Sequence, residues 1–277
     1  MQRTDLAWEA ALSGGRTEGV ERREEEGVRV MKLEIRTREE AEALQKPCGR
    51  YITVEVPELS RVDGETAKQA GVIAKELSAL LPGEGSVLVV GLGNLQITPD
   101  ALGPQTAGEI LVTRHIAAEA GMEGFRPVAA ISPGVLGQTG IEVSEIVRGI
   151  VERTGVSLVI AVDALAAGSV TRLGKTIQIS DTGISPGSGV ANARKALDRE
   201  NLGVEVIAIG VPTVVDGGVL ASEMTEGGVA RADCPRMMVT PRDIDLIIRH
   251  SSHLLATAIN LALHPYLSPE DIAYLCS

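Results

Sequence analysis

The pattern of hydrophobic and polar positions changes near residue 51. The first fifty residues are rich in charge, and the stretch GGRTEGVERREEEGV is typical of a partly flexible surface segment, before MKLEIRT begins ordered structure. From Tyr51 onward, short β-branched runs alternate with stretches of helical period. The sequence therefore predicts a charged N-terminal segment over residues 1–50 and a single α/β domain over residues 51–277.

The alternation in the second part predicts the fold class. Apolar runs predict strands in YITVEVP, SVLVV, PVAAIS, SLVIAVDAL, TIQIS and VEVIAIGVPTVV. Helical period predicts helices within GETAKQAGVIAKELSALL, TAGEILVTRHIAAEAG, SEIVRGIVERTG, NARKALDREN and IDLIIRHSSHLLATAINLAL. Strands that alternate with helices favour a three-layer α/β fold, with a mainly parallel or mixed sheet and helices on both faces.

Composition narrows the classes of partner. Hydrophobic residues make up 44% of the 277 residues and aromatic residues only 2%, so the core must be aliphatic, which suits strands covered by helices. A net charge of -11 disfavours nucleic acid as a partner, because phosphate binding relies on clustered Lys and Arg. No apolar stretch approaches the ~20 residues that span a bilayer, so no membrane association is expected. Cys48, Cys234 and Cys276 are widely separated, which predicts reduced thiols in a cytosolic compartment.

Two acidic residues follow predicted strands, where open α/β sheets bind their ligands. The strand SVLVV leads into GLGNLQITPDALGP, which contains Asp100, and SLVIAV leads directly into Asp163. If these strands are neighbours, repulsion between the carboxylates raises the pKa of one of them, and the pair can activate water and protonate a leaving amine. The alternative is structural: Asp100 could be an acid of a first helical turn and Asp163 could cap the turn after its strand.

The glycines near Asp100 have two interpretations. GLGN begins like the dinucleotide-binding G-x-G-x-x-G pattern, but Gln96 occupies its last glycine position. Gly91 and Gly93 are therefore interpreted as glycines that let the backbone turn tightly beside the acidic site.

Three other loops carry candidate residues. Asp181 lies in a DTG triplet like that of pepsin-like peptidases, but those enzymes are all-β, so we treat Asp181 as a possible third acid of the crevice or as a turn residue. PGSGVANAR could present backbone N–H groups at a helix start to a carbonyl or an anion. Ser132 is interpreted as part of the crevice wall, because no Ser-His-Asp arrangement is apparent.

The histidines do not predict a metal centre. His115 lies in a predicted helix, where a partly buried, hydrogen-bonded histidine is expected. His250 and His253 are three residues apart, but the zincin motif around them is incomplete. We expect no metal and no cofactor, while a cation held by the two acids and a histidine stays an open alternative.

Several stretches together resemble the germination protease family of spore-forming bacteria. They are RTDLAWEA, VVGLGNLQITPDALGP, VTRH, SPGVLGQTGIE, DALA, IQISDTGISPGSGV and IGVPTVVD, and they cover nearly the whole chain outside the charged insert. The resemblance implies a fold similar to that of hydrogenase maturation peptidases. It also implies an atypical aspartic endopeptidase that cleaves small acid-soluble spore proteins during germination, in the cytoplasm of the forespore or the spore core.

By this resemblance, Asp100 and Asp163 correspond to the two catalytic acids. We expect supporting roles for Asp181 and for Asn94, Thr98 and Gly93 in the loop of Asp100. The resemblance further implies a homotetramer and a zymogen whose prosegment is removed by self-cleavage. Two residues precede RTDLAWEA, Gly168 stands where a basic residue is expected, and the insert over residues 14–28 is longer than the usual link.

Two alternative functions share this fold. One is a peptidase like the hydrogenase maturation enzymes, which recognises a bound metal. The other is a catalytically silent sporulation protein that binds a partner. Both acids are present and the family motifs are extensive, so the spore-protein endopeptidase is the main prediction.

Overall fold

The strands form one mixed sheet in the computed structural model, which describes residues 4–13, 20–57, 59, 64–119, 125–187, 194–224 and 237–276. Within these residues the strands are β1 (Glu21–Glu25), β2 (Val28–Ile35), β3 (Gly49–Glu55), β4 (Val87–Gly91), β5 (Val128–Ile131), β6 (Leu158–Ala167), β7 (Thr176–Ser180), β8 (Glu205–Asp216) and β9 (Met238–Val239). Their order is β1-β2-β3-β7-β8-β6-β4-β5, and β9 pairs with β8. The neighbours β5, β4, β6 and β8 are parallel, and the other pairs are antiparallel.

Helices cover both faces of this sheet. They are α1 (Ala7–Ser13), α2 (Arg38–Leu44), α3 (Thr66–Ser78), α4 (Leu102–Gly108), α5 (Arg114–Glu119), α6 (Leu136–Thr139), α7 (Val143–Thr154), α8 (Arg199–Leu202), α9 (Gly217–Met224), α10 (Ile244–Leu263) and α11 (Pro269–Leu275). None of the helices in the described ranges is both long enough and apolar enough to cross a bilayer.

The central strands are apolar throughout because both of their faces are buried. In β4, Val87 and Val89 pack in the core formed with α3, α4 and α10, whereas Leu88 and Val90 pack in the core formed with α7 and α8. The predicted three-layer α/β fold with a mixed sheet is therefore confirmed.

The charged N-terminal segment contributes strands to the same sheet. Its described part forms β1, β2 and the start of β3, and the predicted boundary at residue 50 falls inside β3. β1 lies at the sheet edge, where charged residues oppose pairing with another chain. Residues 14–19 of the predicted insert lie outside the described residues.

Two predicted helices differ from the structure. The helix predicted through TAGEILVTRHIAAEAG is interrupted between α4 and α5, because the Leu111 N–H donates to Asn260 Oδ1 (2.9 Å) and the Thr113 N–H to the Val128 carbonyl (3.0 Å). In NARKALDREN, the described residues form a bridge between Leu197 and Ile184 followed only by the short α8. The helix predicted from residue 244 to residue 263 is confirmed as α10.

Candidate active site

Asp163 lies where β6 loses its neighbour β4. β4 ends at Gly91, whose register partner on β6 is Val162, and the Leu92 N–H makes the last contact with the Val162 carbonyl (2.8 Å). Asp163 follows at once and is only 6% exposed. On the other side its register partner is Gly210 of β8, where a Cβ atom would lie 2.4 Å from the Asp163 carbonyl oxygen. A glycine is therefore required at that partner position.

Asp100 is brought to the same place by the loop after β4. The chain turns at Gly93, whose φ of +112° favours glycine and whose added Cβ would lie 2.1 Å from the Asp100 carbonyl oxygen. The loop then forms a 3-10 turn over Thr98–Asp100. The Asn94 N–H donates to Asp100 Oδ2 at 2.7 Å. Gly93, Asn94 and Thr98, all predicted as supporting residues, therefore shape the backbone that holds Asp100.

Three further hydrogen bonds hold this loop. The side-chain carbonyl of Asn94 accepts hydrogen bonds from the Gln96 N–H (3.0 Å) and from Gln138 Nε2 (2.8 Å) on α6. From β8, the Thr213 hydroxyl donates to the Pro99 carbonyl at 2.8 Å. The loop is thus fixed from both sides, and the position of Asp100 is defined by neighbouring elements.

Glycines allow α4 to pack directly on the ends of β4 and β6. A Cβ on Gly91 would lie 2.2 Å from the Gly103 carbonyl oxygen, and a Cβ on Gly103 would lie 2.3 Å from the Leu92 carbonyl oxygen. The α4 helix begins two residues after Asp100, so this close packing also places Asp100 at the strand ends. Gly93 lies in the turn beside Asp100, as predicted, whereas Gly91 is the last residue of β4 and permits the close approach of α4.

Asp163 and Asp100 differ in how strongly their surroundings raise the pKa of each carboxyl group. Burial raises the pKa of the Asp163 carboxyl well above its usual value, and the negative charges of Asp100 and Asp5 raise it further, while the Ala164 N–H (2.9 Å from Asp163 Oδ1) opposes the change. Burial also raises the pKa of Asp100, against a lowering by the Asn94 N–H. Asp163 therefore holds its proton more tightly, as expected for the more deeply buried member of a carboxyl pair.

A cavity of about 360 Å³ opens on the sheet near Asp163. Leu165 and Gly210 line it, and Leu165 shares the sheet face of Asp163 because side chains two residues apart on a strand point to the same face. Asp163 is not among the lining residues. The cavity thus lies along β6 next to Asp163, and neither acid of the pair lines it.

Asp181 lies in the bend that follows β7, which agrees with its interpretation as a turn residue and not as a third acid of the crevice. It accepts hydrogen bonds from the Arg50 N–H and from Arg50 Nε, both at 2.7 Å. β7 runs antiparallel to β8, so Ser180 pairs with Ala208, towards the amino ends of β6 and β8. The strand end that carries Asp181 is therefore about 10 Å further back along the sheet than Asp163. The geometry does not bring Asp181 to the pair.

Among the described residues, the hydrogen bonds of the other candidate side chains go to groups other than the two acids. The Ser132 hydroxyl lies 3.5 Å from the Pro104 carbonyl of α4, and residues 188–193 of PGSGVANAR lie outside the described residues. His115 is exposed on α5 and not partly buried as predicted. His250 contacts the Leu59 carbonyl (2.7 Å). In the described part of the chain, no cluster of three or more His, Cys, Asp or Glu could hold a metal ion.

Sequence reasoning assigned no role to two residues at this site. Asp5 lies in the RTDLAWEA motif and contributes to the electrostatics of Asp163. Gln138 lies in SPGVLGQTGIE and braces Asn94. Both belong to stretches already noted for the family resemblance, and a polar residue inside such a stretch was the only available signal.

Comparison with known proteins is consistent with this geometry. The family model described as "Germination protease" matches residues 9–226. The chain is 41% identical to a germination protease of Clostridium perfringens (90% of this chain, 88% of that protein) and 41% identical to one of Caldanaerobacter subterraneus (99% and 97%). It is 38% identical to a germination protease of Priestia megaterium (91% and 87%).

Among solved structures, the [NiFe] hydrogenase maturation protease HycI from Thermococcus kodakarensis aligns with 68% of this chain and 98% of its own. Its TM-score is 0.38 and its identity 18%, a likeness too low to bear on function. The matches along the sequence are decisive: the chain belongs to the germination protease family.

Proposed function

We propose that this protein is an endopeptidase that begins the degradation of small acid-soluble spore proteins during germination, with Asp100 and Asp163 as its catalytic pair. Family membership makes the protein a peptidase of spore germination. The proposal for the mechanism depends chiefly on one observation: Asp163 is 6% exposed and its pKa is raised by burial and by the charge of Asp100.

In the proposed mechanism, the pair supplies one acid and one base. Asp100 is partly exposed and its carboxylate accepts the Asn94 N–H, so it acts as the base that takes a proton from water. The water oxygen attacks the scissile carbonyl carbon, and protonated Asp163 gives its proton to the carbonyl oxygen. As the tetrahedral intermediate collapses, Asp100 returns its proton to the leaving nitrogen, the C–N bond breaks, and the new hydroxyl proton goes back to Asp163.

This assignment of roles follows from burial. A carboxyl group in a poorly solvated position keeps its proton, whereas a neighbouring group with a hydrogen-bond donor and access to water ionises first. Two neighbouring carboxyl groups do not both ionise easily, because their negative charges repel each other. The pair therefore loses its protons in two steps that belong to the pair as a unit.

Digestion of a purified small acid-soluble spore protein, followed by mass mapping of the products, tests the substrate assignment. We expect a few specific cuts. General digestion of an unfolded protein such as casein at the same rate would contradict it, as would absence of cleavage at every pH tested. The homotetramer, the zymogen state and the location in the spore core remain predictions from the family resemblance.

A further inference from the structure

The N-terminal segment of the chain lies against the strand that carries Asp163. The Asp5 N–H donates to the Ala166 carbonyl at 3.0 Å, and the Ala166 N–H donates to Asp5 Oδ2 at 2.8 Å. Asp5 thus binds both peptide groups of one β6 residue, across more than 150 residues of sequence. This contact occupies an edge of β6 that none of the described strands covers, beyond the end of β4.

The open edge arises from the end of β4. In a strand the N–H and C=O of one residue point to the same edge, and the edges alternate from residue to residue. The Val162 carbonyl points to β4, where it accepts the Leu92 N–H. The backbone N–H and C=O groups of Ala164 and Ala166 therefore point to the same edge, beyond the last residue of β4.

Carboxylate oxygens accept the successive backbone N–H groups along this edge. The Ala164 N–H donates to Asp163 itself, the Ala166 N–H to Asp5, and the N–H of Gly168, beyond the strand end, to Glu9 at 2.7 Å. The N–H groups of Ala164 and Ala166 are about 7 Å apart, since each strand residue rises 3.2–3.4 Å. Asp5 is thus the next carboxylate along the edge from Asp163, and Glu9 is one step further away.

We propose that Asp5 is a positioning residue of the acid pair, whose carboxylate closes the open edge of β6 beside Asp163. This inference rests on the proposed function of that pair. Asp5 also lines the cavity beside β6, but the role proposed for it passes through Asp163.

The Asp5 backbone is anchored independently of its side chain. Gln178 Nε2 donates to the Asp5 carbonyl (2.9 Å), Gln178 Oε1 accepts the Ala7 N–H (2.5 Å), and Lys46 Nζ donates to the Asp5 carbonyl (3.0 Å). Gln178 is the register partner of Gly210, the residue beside Asp163. Replacing the Asp5 carboxylate should therefore leave the segment in place.

The charges around Asp163 support this role. Asp100 and Asp5 are the charged groups that raise the pKa of Asp163, in addition to burial. Lys46 faces Asp5 and Glu9, which oppose the lowering of the Lys46 pKa by burial, but it is not among the groups that act on Asp163. Removing the Asp5 charge alone should make the Asp163 proton easier to lose.

The test compares Asp5→Asn with Glu9→Gln and Asp5→Glu. Asn keeps an oxygen that can accept the Ala166 N–H but has no charge. We expect the alkaline limb of the pH profile of kcat/KM to move down by about 0.5–1 pH unit in Asp5→Asn, a fraction of the roughly 1–3 pH units that a charge exerts at shorter range. Glu9→Gln, the matched control on the same edge, should move it by less than about 0.2 pH unit, and Asp5→Glu should restore the wild-type limb.

A ¹³C NMR titration of the Asp163 carboxyl in the same variants gives a readout that needs no activity. A lower titration midpoint in Asp5→Asn alone supports the inference. An unchanged midpoint, or equal changes in Asp5→Asn and Glu9→Gln, overturns it. If Asp163→Asn still cleaves substrate, the proposed function fails, whereas an unchanged Asp163 midpoint in Asp5→Asn refutes only the role of Asp5.

Discussion

Asp163→Asn should make the protein more stable at neutral pH, by an amount that grows with pH. The folded protein raises the pKa of Asp163 above its value in the unfolded chain, about 3.9. Such a group contributes stability that is fully present below pH 3.9 and is lost as pH rises through the folded pKa. Asn has nearly the same size and can accept the Ala164 N–H, but it never carries the buried charge.

The size of the effect depends on how far the folded pKa of Asp163 lies above the unfolded one. Each pH unit between the two pKa values corresponds to about 1.4 kcal/mol of unfolding free energy. For a chain of this length, 1 kcal/mol changes Tm by about 2–4 °C, so each such pH unit should add about 3–6 °C to the advantage of the variant. The amide group of Asn has its own burial cost of about 1–3 kcal/mol, but that cost is independent of pH.

Differential scanning calorimetry of both proteins from pH 4 to pH 8 measures this directly. The difference in Tm, variant minus wild type, should rise with pH until the folded pKa of Asp163 is passed and then stay constant. Asp181→Asn is the control, because it removes a partly exposed ion pair with Arg50 and not a buried charge. A difference for Asp163→Asn that stays constant across the whole range or falls with pH would refute the assignment of Asp163 as the buried, protonated acid.

Three further predictions concern the site. Gly93→Ala should reduce kcat/KM by at least about 10²-fold and lower Tm, because its Cβ would lie 2.1 Å from the Asp100 carbonyl oxygen. The control is Gly83→Ala at an exposed position, where an added Cβ would have no atom within 4 Å, and this variant should change neither kcat/KM nor Tm. Chelation with EDTA should leave cleavage intact, since a proton-sharing pair needs no cation, and a loss restored by one added metal would contradict this. Asp181→Asn should lower activity less than loss of either acid of the pair, measured as kcat/KM, and a complete loss there with Asp100→Asn still active would show that the wrong pair was chosen.

The sequence was sufficient to predict the parts of the fold that depend on local pattern. The apolar run into Asp163 and the helical period from Ile244 to Leu263 each correspond to one element. The loop with Gly93 and Asp100 was also predicted, because strand ends are where α/β sheets bind ligands.

The direction of each strand in the sheet and the contacts between residues far apart in the chain could not be predicted from the sequence. An apolar run such as TIQIS looks the same in a parallel or an antiparallel strand. The end of the sheet at which Asp181 lies therefore could not be predicted, because it depends on the direction of β7. The helix predicted after Gly108 is interrupted because Asn260, about 150 residues later, takes the Leu111 N–H. Asp5 lies about 160 residues from Asp163, and no local pattern connects them.

Mass-mapped cleavage of a small acid-soluble spore protein by Asp100→Asn, Asp163→Asn and the double variant tests the central claim most directly. Each single variant should lose at least about 10²–10⁴-fold in kcat/KM while remaining folded, because general acid-base catalysis contributes this much. The double variant should lose little more than either single variant, since the two acids act as a unit. Cleavage at the wild-type rate by either single variant, or losses that multiply in the double variant, would contradict the account.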